Sequence, residues 1–314
     1  MTNLTKNPNI EKLEWKPKMV ERYSKLTDFD KFKEYSEYYL TKSIRINTLK
    51  KSIEEVKKRI EKQGFKLTQV PWCKEGFWIQ GERTDIGNLL EHTLGYIYVQ
   101  EAASMIPPVV LDPQPGDIVL DMCAAPGSKT TQIAAMIQNK GFIIANEIEW
   151  KRGISLGINV QRCGIQNYVL TNMRGQDIKG SFDKILIDAP CTATGTIRKS
   201  ATSLLEWNPT RVKRVAKIQR ELLEHGFNLL KPGGILVYST CTLEPEENEG
   251  VVDFLINKFE NAKVEPIDLT INRTPAVTEF EGATYSDEVK KTLRIWPQDN
   301  DSEGFFVARI KKEE

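Results

Sequence analysis

From Pro115 onward the chain alternates short apolar, β-rich runs with helical stretches. In order these are DIVLDM, TTQIAAMI, GFIIANE, YVLT, FDKILIDAP, a long helix and GGILVYST. Alternation of this kind predicts βαβ units and an α/β fold with a parallel, doubly wound sheet. Such sheets hold their ligands beyond the carboxyl ends of the strands, so chemistry is expected in whatever follows each strand.

Upstream, SIRINTL alternates as a strand should. SIEEVKKRIEKQG follows with Ser52 as N-cap, Ile53, Val56 and Ile60 on one face, and Gly64 as stop; FKLTQV and GFWIQG then read as two more strands. A small β-α-β-β unit over residues 43–81 results, closed by a linker-like stretch around Gly87 to Gly95. The expected organisation is an N-terminal α+β domain over 1–95 and an α/β domain over 96–314, and a chain of 314 residues is long enough to build both. The first 40 residues, rich in charge and tyrosine, suggest a helix at YSEYYL. Near the other end of the pattern, Asn208 should cap a helix running to about Leu230, with Pro209 in its first position and Val215, Ile218 and Leu222 on one face.

Hydrophobic residues at 40% and charged residues at 28% place the chain among globular proteins. No apolar run approaches the roughly 18 residues of a membrane span, and the polar start MTNLTKNPNIEKLEWK is unlike a signal peptide, so a cytoplasmic protein without a membrane partner is expected. Five cysteines without a CxxC pair, beside only two histidines, predict neither a metal site nor a disulfide framework. The net charge of +1 conceals two basic clusters: nine Lys or Arg against three Glu between Lys42 and Lys66, and seven against one between Arg198 and Arg220. Lys213, Lys217 and Arg220 also share one face of their helix. Such clusters suit the phosphates of a nucleic acid, and they equally suit solvated faces.

VLDMCAAPGSKTT joins a strand to a helix through small residues and Pro126-Gly127, so the backbone can approach a ligand at the helix N-terminus. It lacks both G-x-G-x-x-G and the spacing of a P-loop. GFIIANE ends on Glu147, roughly 20 residues further on, where an acid can hold ribose hydroxyls, and the pair points to a nucleoside-containing cofactor. Two cysteines share the ligand end of the sheet: Asp188-Ala189-Pro190-Cys191 follows one strand and Ser239-Thr240-Cys241-Thr242 another. Thiols so placed are either catalytic or buried core groups.

The segments RINTL (45–49), YVQEAASMIP (98–107), DMCAAPGSKT (121–130), ILIDAPCTATGTIR (185–198), GGILVYSTCTLEPEENE (233–249) and RIWPQDNDSEGFF (294–306) together resemble the RNA cytosine-5 methyltransferases of the Nol/Nop/Sun family. The resemblance implies S-adenosylmethionine as cofactor, a class I methyltransferase (Rossmann-like) sheet of seven strands with its last hairpin near Phe305 to Ile310, and a small N-terminal domain akin to an RNA-recognition unit. It places cofactor contacts on Cys123, Ala124, Ala125, Pro126, Gly127, Ser128 and Lys129, on Glu147 for the ribose, and on Arg152 and Asp188. The position that often carries an acid near the adenine is Asn172 here.

It also explains why two cysteines are wanted. Carbon 5 of cytosine is a poor nucleophile until a thiolate adds to carbon 6, and that addition needs an acid at ring nitrogen 3. A base must afterwards remove the carbon 5 proton as the thiol leaves. DNA cytosine-5 methyltransferases use a Pro-Cys cysteine, which would select Cys191. The closer resemblance, to the RNA enzymes, makes Cys241 the nucleophile and Cys191 the residue that assists release, with Asp188 on the cytosine edge and Lys129 at the target base. The expected partner is RNA, with transfer RNA favoured over ribosomal RNA, and the expected state is a monomer.

Overall fold

In the computed structural model, which describes residues 5–11 and 14–314, Ser52 accepts the Glu55 amide and so starts the helix Ile53–Glu61. Its apolar side, Val56 and Ile60, packs on Ile44, Ile46, Phe77 and Ile97, and Gly64 ends it at a left-handed φ of 87°. The sheet beneath is antiparallel throughout, with strands β1 (Ser43–Ile46), β2 (Lys66–Gln69), β3 (Gly76–Gln80) and β4 (Ile97–Val99) in the order β2-β3-β1-β4. A division at 95/96 falls just before its fourth strand. The stretch expected as a linker is instead packed: Ile86 and Leu89 are buried, and buried Glu91 accepts from Arg59 and Gln63. A Cβ at Gly95 (φ +70°) would lie 2.0 Å from the Arg162 carbonyl oxygen, so only glycine lets the small sheet approach the helix Trp150–Cys163 this closely.

The larger sheet begins with β5 (Ile118–Asp121), β6 (Phe142–Asn146), β7 (Tyr168–Thr171), β8 (Phe182–Asp188) and β9 (Leu230–Thr240), parallel and ordered β7-β6-β5-β8-β9. Then come β10 (Ala262–Glu265), a separate ribbon of β11 (Glu279–Phe280) and β12 (Ala283–Thr284), and the closing strands β13 (Leu293–Ile295) and β14 (Phe305–Lys312). Strand β14 lies antiparallel between β9 and β10, which completes the expected seven-stranded path, and β13 pairs with the start of β14 as an eighth. Successive residues serve opposite faces: Val119, Leu186 and Val237 join one core, Leu120, Ile185 and Leu236 the other. The chain runs outward from β5 to β7 and returns beside β5 as β8, which opens a crevice at the carboxyl ends of β5 and β8.

Asn208 caps the helix Pro209–Leu229 by accepting the Arg211 amide at 2.8 Å. Its buried face includes Val212, Ala216, Gln219, Leu222 and Leu223; of the expected face Leu222 is buried, Val215 is half-buried and Ile218 is 41% exposed. The difference has a cause: polar Gln219 is drawn inward because its amide donates to the Pro190 carbonyl and to Glu247, both at 2.9 Å. Lys213 and Lys217 are exposed, while Arg220 lies over the Phe254 ring.

Residues assigned by sequence to the N-terminal domain also divide differently. The helices Pro17–Tyr23 and Phe29–Ser36 bury Met19, Tyr23 and Phe32 against Trp207, Val212, Leu243 and Trp296 of the large domain. Arg22 pairs with Glu244 (2.8 Å), Glu246 and Glu281 (2.8 Å), and the Tyr23 hydroxyl donates to Glu244 at 2.7 Å. The helix expected at YSEYYL stops at Ser36. No helix among the described residues is long and apolar enough to cross a membrane.

Candidate active site

The loop between β5 and the helix Ser128–Met136 is held from outside by the helix Trp150–Cys163. Arg152 donates to the Ala125 carbonyl at 2.8 Å and Asn159 to that of Pro126 at 2.9 Å. Gly127 turns the chain into the helix at φ 102°. Asp121, at the end of β5, accepts the Thr130 hydroxyl at 2.6 Å, and burial pushes its carboxyl up to about 7 against the pull of that bond.

Beside the loop lies a cavity of about 500 Å³ lined by Cys123, Ala125, Glu147, Arg152, Asp188 and Cys191, among others. Glu147 is buried. Its Oε1 accepts the Glu149 amide at 3.0 Å; its Oε2 has no hydrogen-bond partner among the described residues and stands 3.3 Å from the Arg152 guanidinium. A buried carboxylate oxygen left open in a cavity of this size fits a ribose hydroxyl, as an S-adenosyl nucleoside requires.

Asn172 is placed otherwise than expected. Its amide donates to the main-chain carbonyls of Glu147 and Ile148, at 2.6 and 2.9 Å, and it is absent from the cavity wall. Arg174, Gly175, Gln176 and Ile218 line that end of the cavity. They carried no sequence signal, because they belong to a short 3-10 turn and to the outer side of a helix.

A second cavity, on the side of the small sheet, shares Cys123, Ala125, Arg152, Asp188 and Cys241 with the first. Ala124, Pro126, Ser128 and Lys129 face it, whereas Gly127 lines neither. The sequence-predicted catalytic residues meet where the two cavities adjoin. Cys191 and Cys241 follow β8 and β9, and their sulfurs stand 3.3 Å apart without a bond. Lys129, 7% exposed, donates to Asp188 Oδ2 and to Ser104 Oγ, each at 2.8 Å; Asp188 Oδ1 accepts the Ser239 hydroxyl at 2.8 Å.

Burial alone would lower the Lys129 pKa, but the Asp188 carboxylate more than offsets it, so the ammonium is kept. Cys241 is pushed well above the usual thiol range, first by its hydrogen bond with Cys191 and then by burial. It therefore rests as a neutral thiol. Cys123 is raised too, by burial first, and Cys73 and Cys163 are buried core thiols. His225 bonds the Ile178 carbonyl, while His92 lies at the rim of the second cavity with its pKa lowered by burial and Arg162. No cluster of metal-ligating side chains occurs among the described residues.

The thiols are fixed by residues that sequence reasoning quoted without assigning them a role. Glu247 accepts the Thr192 amide at 3.0 Å, the Thr192 hydroxyl and the Gln219 amide, which seats the Cys191 loop. Its pKa rises to about 7 because it is buried. Asn248 accepts the Thr240 hydroxyl and donates to the Thr242 carbonyl at 2.9 Å, so it brackets Cys241. Both come from PEEN, one short turn after β9.

Residues 108–311 match the family model described as 16S rRNA methyltransferase RsmB/F, and residues 15–102 match the N-terminal domain of 16S rRNA methyltransferase RsmF. The tRNA (cytosine(49)-C(5))-methyltransferase of Pyrococcus abyssi is 48% identical over 299 residues, which cover 94% of this chain and 96% of that protein. Ribosomal RNA small subunit methyltransferase F of Psychromonas ingrahamii is 47% identical over 87% of this chain, but the match spans only 57% of that longer protein. Among solved structures, a methyltransferase homologue from Pyrococcus horikoshii superposes with a TM-score of 0.87 at 38% identity, covering 98% of this chain and 99% of the other. NSun6 from Pyrococcus horikoshii, solved with SFG, gives 0.83 at 26% identity, covering 95% and 98%. The chain belongs to the RsmB/F family of S-adenosylmethionine-dependent RNA cytosine-5 methyltransferases.

Proposed function

We propose that this enzyme forms 5-methylcytosine in transfer RNA through a covalent adduct between Cys241 and carbon 6 of the target base. The observation that carries the reading is the convergence of Cys191, Cys241 and the Lys129–Asp188 pair on one point between the two cavities. One cavity suits the cofactor. The other, open towards the small sheet, suits an extruded nucleotide.

Cys241 starts as a thiol, and the Lys129 ammonium is the nearby cation that favours its ionised form once a base displaces the bond from Cys191. The new sulfur–carbon 6 bond pushes electron density onto ring nitrogen 3, where Asp188, held by Lys129 and Ser239, orients the edge and passes on the proton released by the Cys241 thiol. In the first cavity Glu147 would hold the ribose of S-adenosylmethionine, with Cys123 and Ala125 of the loop beside it, and the cofactor would supply an electrophilic methyl group for carbon 5. Cys191, 3.3 Å from the attacking sulfur, then assists as the carbon 5 proton leaves and the carbon–sulfur bond breaks. Transfer RNA is favoured over ribosomal RNA because the Pyrococcus abyssi relative named for transfer RNA is 48% identical over 299 residues. We place the enzyme in the cytoplasm with its RNA substrate, acting as a monomer.

Bisulfite sequencing of cellular RNA with and without the gene tests this reading. Loss of one or more tRNA cytosine methylations is expected; loss confined to small-subunit rRNA would replace the substrate.

A further inference from the structure

Glu303 precedes β14 and forms part of the wall of the second cavity, together with Cys241, Lys129 and Asp188. It is 5% exposed and makes no side-chain hydrogen bond among the described residues, and its Oε1 is closed off without a partner. A buried polar group left in that condition costs free energy, so folding alone gives no reason for an acid here.

Its neighbour Glu101 is the opposite. Glu101 Oε2 accepts the Ser104 amide and Oε1 the Glu303 amide, each at 3.1 Å. Two carboxyl groups buried side by side cannot both ionise cheaply, and the one that already accepts main-chain N–H groups is the better carboxylate. Burial raises both carboxyls, against the main-chain bonds that favour the Glu101 charge; Glu303, which that charge also opposes, goes up to about 8, while Lys199, Lys129 and Arg198 pull the other way. The proton stays on Glu303. A neutral carboxyl in a cavity wall is a hydrogen-bond donor.

The edge of cytosine presents two acceptors, N3 and O2, beside one amino donor. Asp188 takes the N3 position in the mechanism above, so a donor to O2 is missing from the roles described so far. We propose that Glu303 is a substrate-contacting residue whose carboxyl group hydrogen-bonds the O2 atom of the target pyrimidine seated against Cys241. The assignment rests on the RNA cytosine reading above and deepens it.

The test uses the full chain, labelled S-adenosylmethionine and an RNA transcript that the unaltered enzyme methylates, with kcat and KM followed from pH 6 to 9. The groups facing Glu303 are Glu101, Lys129, Lys199, Arg198 and Cys241, so variants must isolate its own titration. Glu303→Gln supplies an N–H donor at every pH. It is expected to stay within about fivefold of the parent kcat/KM and to lack the fall in activity that the parent shows above about pH 8. Glu303→Leu is expected to lose at least about tenfold in kcat/KM for RNA, with calorimetric affinity for S-adenosylmethionine unchanged and a melting temperature no lower. Parent-like kcat/KM in Glu303→Leu, or an unchanged alkaline limb in Glu303→Gln, overturns the proposal. Should Glu303→Leu fail to fold, the Glu303→Gln profile decides alone. An unaltered enzyme that methylates no RNA cytosine overturns the proposed function and this contact with it; parent-like variants of an active enzyme overturn the contact only.

Discussion

The Asn248 side chain accepts the Thr240 hydroxyl at 2.6 Å and so fixes the residue immediately before the proposed nucleophile. With its second bond, to the Thr242 carbonyl, one buried amide holds both neighbours of Cys241. Asn248→Ala should cost about 1–3 kcal/mol, because it strands a buried hydroxyl and a carbonyl. Its melting temperature should drop by roughly 2–4 °C per kcal/mol, and methylation should fall further than that loss explains. Scanning calorimetry beside a methylation assay separates the two effects.

The division of labour between the thiols predicts opposite fates. Cys191→Ala should accumulate an enzyme–RNA adduct that survives denaturing electrophoresis, since attack proceeds and release does not. Cys241→Ala should give neither adduct nor product. An adduct seen in Cys241→Ala and missing in Cys191→Ala reverses the roles.

Glu147→Gln tests the cofactor cavity. The open oxygen of a buried carboxylate is a strong acceptor, and its replacement should weaken S-adenosylmethionine binding by about 1.5–3 kcal/mol, on the order of ten- to a hundredfold. Titration calorimetry reads this without any RNA present.

Asp121 gives a pH signature. Its folded pKa of about 7 lies above the unfolded value of about 3.9, so its protonated form stabilises the fold fully below about pH 4, and that contribution is lost as pH rises through 7. Asp121→Asn abolishes this slope. The melting temperature of the variant, relative to the parent, should rise between pH 5 and pH 8; a constant difference would show that Asp121 does not titrate there.

Arg22 is 4% exposed and surrounded by Glu244, Glu246 and Glu281. Arg22→Met should destabilise by about 3–5 kcal/mol, because it leaves fully buried Glu244 without its cation. Adding Glu244→Gln should recover part of the loss in thermal unfolding.

How much was legible in the sequence follows from where the information sits. Strands and their carboxyl ends are written in local patterns, and these led to the loop from Cys123 to Lys129, then Glu147, Asp188, Cys191 and Cys241 in order. The Ser52 and Asn208 caps were equally local. Gln219 was not: its inward turn depends on Pro190 and Glu247, partners that no helical periodicity can reveal. The stretch from Ile86 to Gly95 looked like a linker because its composition is that of a loop, yet it is pressed against Arg162 by a tertiary contact. The first helices likewise bury their apolar residues on segments some two hundred positions away, and Asn172 is absorbed by the backbone of the loop after β6.

The docking of Arg22 and Tyr23 onto Glu244 also sets a timetable. Glu244 emerges from the ribosome 222 residues after Arg22, and Trp296, against which Tyr23 and Phe32 pack, later still. The earliest helices must wait through most of synthesis with their aromatic side chains uncovered, then close over the segment that carries Cys241. Their docking marks a finished catalytic domain: a chain broken off before β9 would offer them Trp207 and Val212 but neither Leu243, Glu244 nor Trp296.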